Sequence, residues 1–153
     1  MGLPVNWWER EPGRLSTEID LMRQKFPQFK LGQAEDEHIV NNWKAVSIGQ
    51  KYWMGQLKTV AGNIYTVLLA YPNYYPGGKI RAYIVSPHIS HGNHRYGDGH
   101  LCLYSNDHGG KGQGAGPGMT AVSYVAWVSA WLHAHEIFEK KGVWPENSFF
   151  KRF

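Results

Sequence analysis

Cys102 is the only cysteine in the chain and sits in the segment Gly99-His100-Leu101-Cys102-Leu103-Tyr104, with His94, Arg95, His100 and His108 nearby. A lone thiol cannot close a disulfide within its own chain, and a cysteine-rich zinc site needs more sulfur than is present. Two roles remain: a reactive nucleophile, or a small buried apolar group. A reactive thiol works as the thiolate, whose fraction rises in an electropositive, partly exposed setting, and the neighbouring cationic side chains supply one. In this reading Leu101 and Leu103 anchor the segment to the core while Cys102 points outward.

The other histidines suggest a metal only weakly. His88, His91 and His94 recur every three residues, and His133 and His135 follow in a helical stretch. Two residues apart on a helix, His133 and His135 face different ways, and no Asp or Glu constellation accompanies them, so no metal or other cofactor is expected. The glycine-rich run from Gly109 to Gly118 contains Lys111 but lacks the Gly-Lys-Ser/Thr ending of a phosphate loop. Its glycines suit a flap over the cysteine or a linker, since they let another backbone approach closely.

Several elements must position these residues. Leu15, Ile19, Met22 and Phe26 fall at helical spacing and Pro27 ends the run, which predicts an amphipathic helix over about 14–26. Gly32 to His38 reads as a polar separator. Trp43–Ile48, Tyr52–Val60, Ile64–Tyr71 and Ile80–Val85 read as strands, with a hairpin at Ala61-Gly62-Asn63 and a turn from Tyr71 to Gly78. Their short connections imply a four-stranded antiparallel meander. No periodicity is visible from His88 to Gly118, a length that in a compact domain marks a functional or disordered segment. Thr120 to Lys141 reads as a long helix, capped at Thr120 and stopped by Gly142. Val122, Val125, Ala126 and Leu132 lie on one side of it, with Tyr124, Trp127, Trp131, His135 and Phe138 extending the apolar surface. The order is that of an α+β fold.

At 153 residues the chain fits a single domain, 1–153, with its core at about 14–141. No apolar run approaches the length of a membrane span, and Met1 to Arg10 lacks a signal-peptide pattern, so a cytoplasmic protein with a reduced thiol is expected. The net charge of +4 is a mild excess without a dense basic block, and it argues against a nucleic-acid partner.

Taken together, Trp53-Met54-Gly55, the Tyr71-Pro72-Asn73-Tyr74-Tyr75-Pro76 turn, Pro87-His88 and Gly99-His100-Leu101-Cys102-Leu103 resemble the ubiquitin-conjugating enzyme family in its divergent prokaryotic form. The resemblance covers about Leu15 to Lys141 and implies the UBC-like fold, with Cys102 as the thioester-forming residue. The resemblance implies a thiol that takes an acyl group as a thioester and passes it to an amine, being nucleophile and leaving group in turn. Most eukaryotic relatives carry a His-Pro-Asn triplet about ten residues ahead of the cysteine, whose Asn supports the developing oxyanion or the local loop. Here Pro87-His88-Ile89-Ser90-His91-Gly92-Asn93-His94 holds those residue types in another order, so the role falls to His88, Asn93 or His94, or to none. The family's last helices have no counterpart in the few residues after Lys141.

The resemblance further implies the standalone form found in bacterial anti-phage operons. There the partner is a protein donating its C-terminal tail, either a cyclic-oligonucleotide synthase or a ubiquitin-like protein, and a separate activating enzyme performs any ATP-dependent step. Two readings compete with it: a noncatalytic peptide-binding module on the same scaffold, and a zinc hydrolase built on the loop histidines.

Overall fold

A computed structural model describes residues 6–35, 38–40, 43–103 and 119–145. The glycine-rich run, Tyr104, His108 and the stretch after Pro145 lie outside the described residues. Helix α1 (Trp7–Arg10) leads directly into α2 (Pro12–Lys25), with Pro12 in the first turn, where its missing N–H costs nothing. Met22 is buried on α2, flanked by half-buried Leu15, Ile19 and Phe26, as the helical spacing predicts. Strands β1 (Lys30–Gln33), β2 (His38–Val40), β3 (Trp43–Val46), β4 (Lys51–Lys58), β5 (Ile64–Ala70) and β6 (Arg81–Ser86) follow, and α3 (Ala121–Lys141) comes last among the described elements.

The four-stranded sheet has the order β1-β4-β5-β6, antiparallel throughout. Its first strand differs from the sequence expectation. Lys30–Gln33 takes that place, within and ahead of the stretch read as a separator, whereas Trp43–Val46 pairs with His38–Val40 in a hairpin of its own. The reason is that the helices and this hairpin between them cover both faces of β5. Along β5, Tyr65, Val67 and Leu69 pack with α2 and α3, while Leu68 and Ala70 join Val46, Ala34 and Tyr83 in a second cluster. A strand covered on both sides reads as a continuous apolar run. The expected hairpin closes with the Thr59 N–H donating to the Asn63 carbonyl (2.9 Å), and Gly62 adopts φ +94°, which suits a residue without Cβ.

Helix α3 buries Tyr124, Val125, Val128, Trp131, Leu132 and His135; Ala126, expected on the covered side, is exposed. Gly142 stops the helix in the left-handed conformation, φ +76°. Thr120 occupies the N-cap position, but its side chain makes no capping bond. The Glu18 carboxylate of α2 accepts the Ala121 N–H (3.0 Å) in its place, so a second helix caps the first. No helix among the described residues is long and apolar enough to cross a membrane.

Candidate functional site

The sheet order leaves β6 at an edge, and the cysteine-bearing segment uses that edge. After β6 the chain turns at Pro87, buries Ile89, and doubles back over α3. Arg95 ties this return to itself, its Nη1 donating to the carbonyls of Ile89 (2.6 Å) and His91 (2.7 Å). Arg95 then faces Leu101 across an isolated antiparallel bridge. Between them runs a tight turn, in which Tyr96 N–H donates to the His100 carbonyl (2.9 Å) and Gly99 takes φ +92°. Asp98 holds the turn by accepting from the His100 ring and main chain and by pairing with Arg81 of β6 (3.3 Å). Burial pushes the Asp98 carboxyl up, but the His100 hydrogen bonds and the nearby charges of His100 and Arg81 outweigh it and hold it below the usual range.

Two main-chain bonds then set the cysteine. Leu101 N–H donates to the Ala82 carbonyl of β6 (2.9 Å), and Cys102 N–H donates to the His94 carbonyl (2.8 Å). The indole of Trp131 on α3 donates to that same His94 oxygen (3.0 Å). His94 has φ +52°, a conformation that costs a residue with a Cβ roughly 1–2 kcal/mol. Offsetting this are the two hydrogen bonds its carbonyl accepts and the stacking of its ring on Trp144 (4.8 Å between centroids, 24° between planes).

Leu101 and Leu103 are buried in the main core, as expected of anchors. The outward-pointing, partly exposed thiol is corrected: Cys102 is only 6 % exposed, although it belongs to neither apolar cluster. Of the three candidate donors, His94 meets the cysteine main chain through its carbonyl, an acceptor. Asn93 is half-buried, and its N–H donates to His91 Nδ1 (3.2 Å); His88 is exposed at the far end of the return.

The sequence offered Arg95 only as a nearby cation and Trp131 only as apolar helix surface, and it gave no sign of Trp144 or of the pairing of His91 with His135. His91 Nε2 lies 2.8 Å from His135 Nδ1, and His135 Nε2 lies 3.7 Å from a Glu139 oxygen. The His91 ring also stacks on Trp131 and meets Phe138 (4.7 Å). One face of α3 thus grips the return at several points. Trp131, His135 and Glu139 are four apart, so their common face was readable; what lay over it was not. His133 is exposed on another face, as anticipated. Among the described residues, His91, His135 and Glu139 form the one group whose ligating atoms, within 4.8 Å of one another, could hold a metal ion.

Beside Leu101 and His100 opens a polar cavity of about 580 Å³, bordered also by Asn73, Tyr74, Lys79, Arg81 and Tyr96. It lies between the Tyr-Pro turn, the start of β6 and the cysteine-bearing turn.

A sequence model of the family described as "Type II CBASS E2 protein" matches residues 18–151, from α2 through the cysteine segment to beyond α3. The chain belongs to that family. No curated protein sequence matches it. The α+β architecture of N-terminal helix, four-stranded antiparallel sheet and C-terminal helix agrees with the UBC-like fold. Membership in the CBASS E2 family carries a role in CBASS anti-phage defence, a ubiquitin-conjugating-like activity in general terms, and partnership with other CBASS proteins.

Proposed function

We propose that Cys102 accepts the C-terminal acyl group of a partner protein's tail as a thioester and passes it to an amine. The observation that carries this reading is the doubly held segment: the sole thiol lies between two buried leucines, with its N–H on the His94 carbonyl, and the residue before it, Leu101, borders an open polar cavity. In the first step the sulfur bonds the carbonyl carbon of an activated tail, the thiol gives up its proton and the activating group departs. In the second, an amine attacks that carbon, the carbon–sulfur bond breaks, and the amide forms as the amine's proton is released. Sulfur suits both halves, being nucleophile and leaving group in turn. The activated tail comes from a separate enzyme, and the setting is the cytoplasm, where thiols stay reduced.

The donor of the tail is a cyclic-oligonucleotide synthase or a ubiquitin-like protein. An extended tail would lie in the cavity beside Leu101, gaining main-chain hydrogen bonds and contacts with Tyr74 and Tyr96. Asn93, His94 or His88 would supply the donor to the developing oxyanion. Because Cys102 is 6 % exposed, the tail must displace what covers the thiol before reaction.

That burial also favours a second reading, a noncatalytic peptide-binding module. Intact-mass analysis decides between the two after co-expression with the neighbouring operon: the conjugating reading expects a reductant-sensitive adduct on Cys102 that vanishes in Cys102→Ala. A partner that binds equally well to wild type and Cys102→Ala, with full defence and no adduct in either, selects the binding module.

A further inference from the structure

His91, His135 and Glu139 are joined in a way that fixes where their protons sit. His91 Nδ1 accepts the main-chain N–H of Asn93 (3.2 Å), a group that can only donate. A neutral imidazole has one protonated nitrogen, so the His91 proton must be on Nε2. That Nε2–H points at His135 Nδ1, 2.8 Å away, which must therefore be the acceptor. The His135 proton is then on Nε2, facing the Glu139 carboxylate at 3.7 Å. Three N–H groups thus point in one direction, from a loop amide toward a carboxylate on α3. A metal on His91 Nε2 would need the proton moved to Nδ1, where it would oppose the Asn93 N–H, so the hydrogen-bonded chain and metal ligation exclude each other here.

The position of this chain gives it a consequence for the thiol. His91 lies in the return whose next corner is His94, and the His94 carbonyl holds the Cys102 N–H. Resting on the reading of Cys102 as acyl acceptor, we propose that His135, backed by Glu139, is a positioning residue: through neutral His91 it keeps the return seated on α3 and so sets the main chain of the reacting cysteine. The same geometry makes the seat acid-sensitive. Protonating both imidazoles puts an N–H on each side of the 2.8 Å gap and leaves no acceptor in it.

The groups facing the pair decide how readily that happens. Burial lowers the pKa of His91, followed by the His135 and Arg95 charges, against an upward pull from Glu139. Burial likewise lowers that of His135, with Arg95 acting in the same sense and Glu139 and Glu136 opposing it. From β5, Tyr65 packs edge-on against the His135 ring (5.9 Å). Both folded values lie below the ordinary histidine value near 6.5, so the neutral pair is complete above that pH and is lost as the medium acidifies below it.

The test uses the full chain with histidines labelled in nitrogen-15. Long-range proton–nitrogen spectra at pH 7.5 should show His91 and His135 both as neutral Nε2–H tautomers, and the Cys102 amide should be protected from exchange. His135→Leu should abolish that protection and slow adduct formation about tenfold or more. His135→Asn, which keeps an acceptor oxygen near the position of Nδ1 but cannot be protonated, should recover most of the loss and move the acid limb of the pH profile to lower pH, since only His91 then titrates in the pair. An Nδ1–H tautomer at His91, an unchanged acid limb in His135→Asn, or stoichiometric zinc lost on His135→Leu overturns the proposal. If wild type forms no adduct at any pH, the acyl-carrier reading fails, while tautomers and amide protection still decide the role of His135.

Discussion

The carbonyl oxygen of His94 accepts both the Cys102 N–H (2.8 Å) and the Trp131 indole N–H (3.0 Å), so one main-chain atom links the only thiol to helix α3. Removing the indole donor while keeping an aromatic ring tests this link. Trp131→Phe should lose about 1–3 kcal/mol, one hydrogen bond plus a partly filled cavity, and adduct formation should slow several-fold. Thermal unfolding and single-turnover adduct assays measure the two. An unchanged adduct rate in a destabilised variant would mean that the His94 carbonyl does not control the thiol.

Glu18 is buried, and its position explains how α3 begins. Its Oε1 accepts the Ala121 N–H and the Tyr71 hydroxyl, which itself accepts from the Trp53 indole (2.7 Å). The Tyr75 hydroxyl lies within hydrogen-bonding distance of Glu18 Oε2 (3.0 Å) and of the Met119 carbonyl (2.9 Å). Burial and the Glu18 charge push both tyrosine pKa values up, so the hydroxyls remain donors. Glu18→Ala leaves buried polar groups without this acceptor and should cost about 3 kcal/mol or more, lowering Tm by roughly 6–12 °C. A loss below about 1 kcal/mol in chemical denaturation would show that water or Thr120 replaces the cap.

Much of this was legible from local pattern. Met22 among Leu15, Ile19 and Phe26, the strands bounded by Gly62 and Pro72, and Gly142 at the end of α3 all follow from periodicity and turn chemistry. Lys30–Gln33 was missed because an edge strand of four residues containing Gly32 carries almost no apolar alternation. Trp43–Val46 was placed in the wrong sheet because its hairpin partner, His38–Val40, is a strand of only three residues and carries no readable alternation. At the site, Cys102 and its leucines stood out through residue type. The grip of Trp131, His135 and Trp144 on residues 91–94 depends on an irregular return whose only sequence mark is the absence of a period. The burial of the thiol could not be read from Cys102 itself.

Gly55 completes the Trp53-Met54-Gly55 motif for a steric reason. On the helix-facing side of β4, between Trp53 and Leu57, a Cβ at position 55 would lie 2.6 Å from the Phe29 ring and 2.8 Å from the Phe29 Cα. The ring could turn, but the backbone atom cannot move without shifting the start of β1. Gly55→Ala should therefore cost about 1–3 kcal/mol, whereas Gly13→Ala, which meets no atom within 4 Å, should not destabilise. Equal stability of the two variants in urea would contradict this account.

Glu136 fastens the β4–β5 hairpin to α3 by accepting from Thr59 (2.8 Å), Asn63 (2.7 Å) and Tyr65 (3.0 Å). Partial burial pushes its carboxyl up, but these three hydrogen bonds outweigh that and hold it below the ordinary value of 4.5. With the folded pKa the lower one, the unfolded chain binds more protons between the two values, so this contribution is complete above about pH 5 and disappears as the pH falls through the folded value. Glu136→Gln should flatten that part of the stability profile while changing Tm little once the pH is below the folded value. A wild-type slope in the Gln variant would assign the acid loss to another carboxylate.

The cavity beside Leu101 and His100 sets the last expectation, which concerns the partner. Its border combines exposed Tyr74 with Lys79, Arg81 and Tyr96, and Gly78 lets the Tyr74 ring lie across its own backbone, since a Cβ there would meet that ring at 2.4 Å. A flat aromatic edge and nearby main chain suit an extended tail better than a folded surface, because such a tail can satisfy its backbone groups along the groove and then reach the neighbouring residue. Deleting the last few residues of the tail donor should therefore abolish both stable association and the Cys102 adduct. Tyr74→Ala should weaken association by about 1–2 kcal/mol without lowering Tm, because that side chain is 65 % exposed. Calorimetric titration with the intact and shortened partners reads the first effect, and intact-mass analysis reads the second. Adduct formation at the normal rate with the shortened partner would rule out Cys102 as an acceptor of that tail.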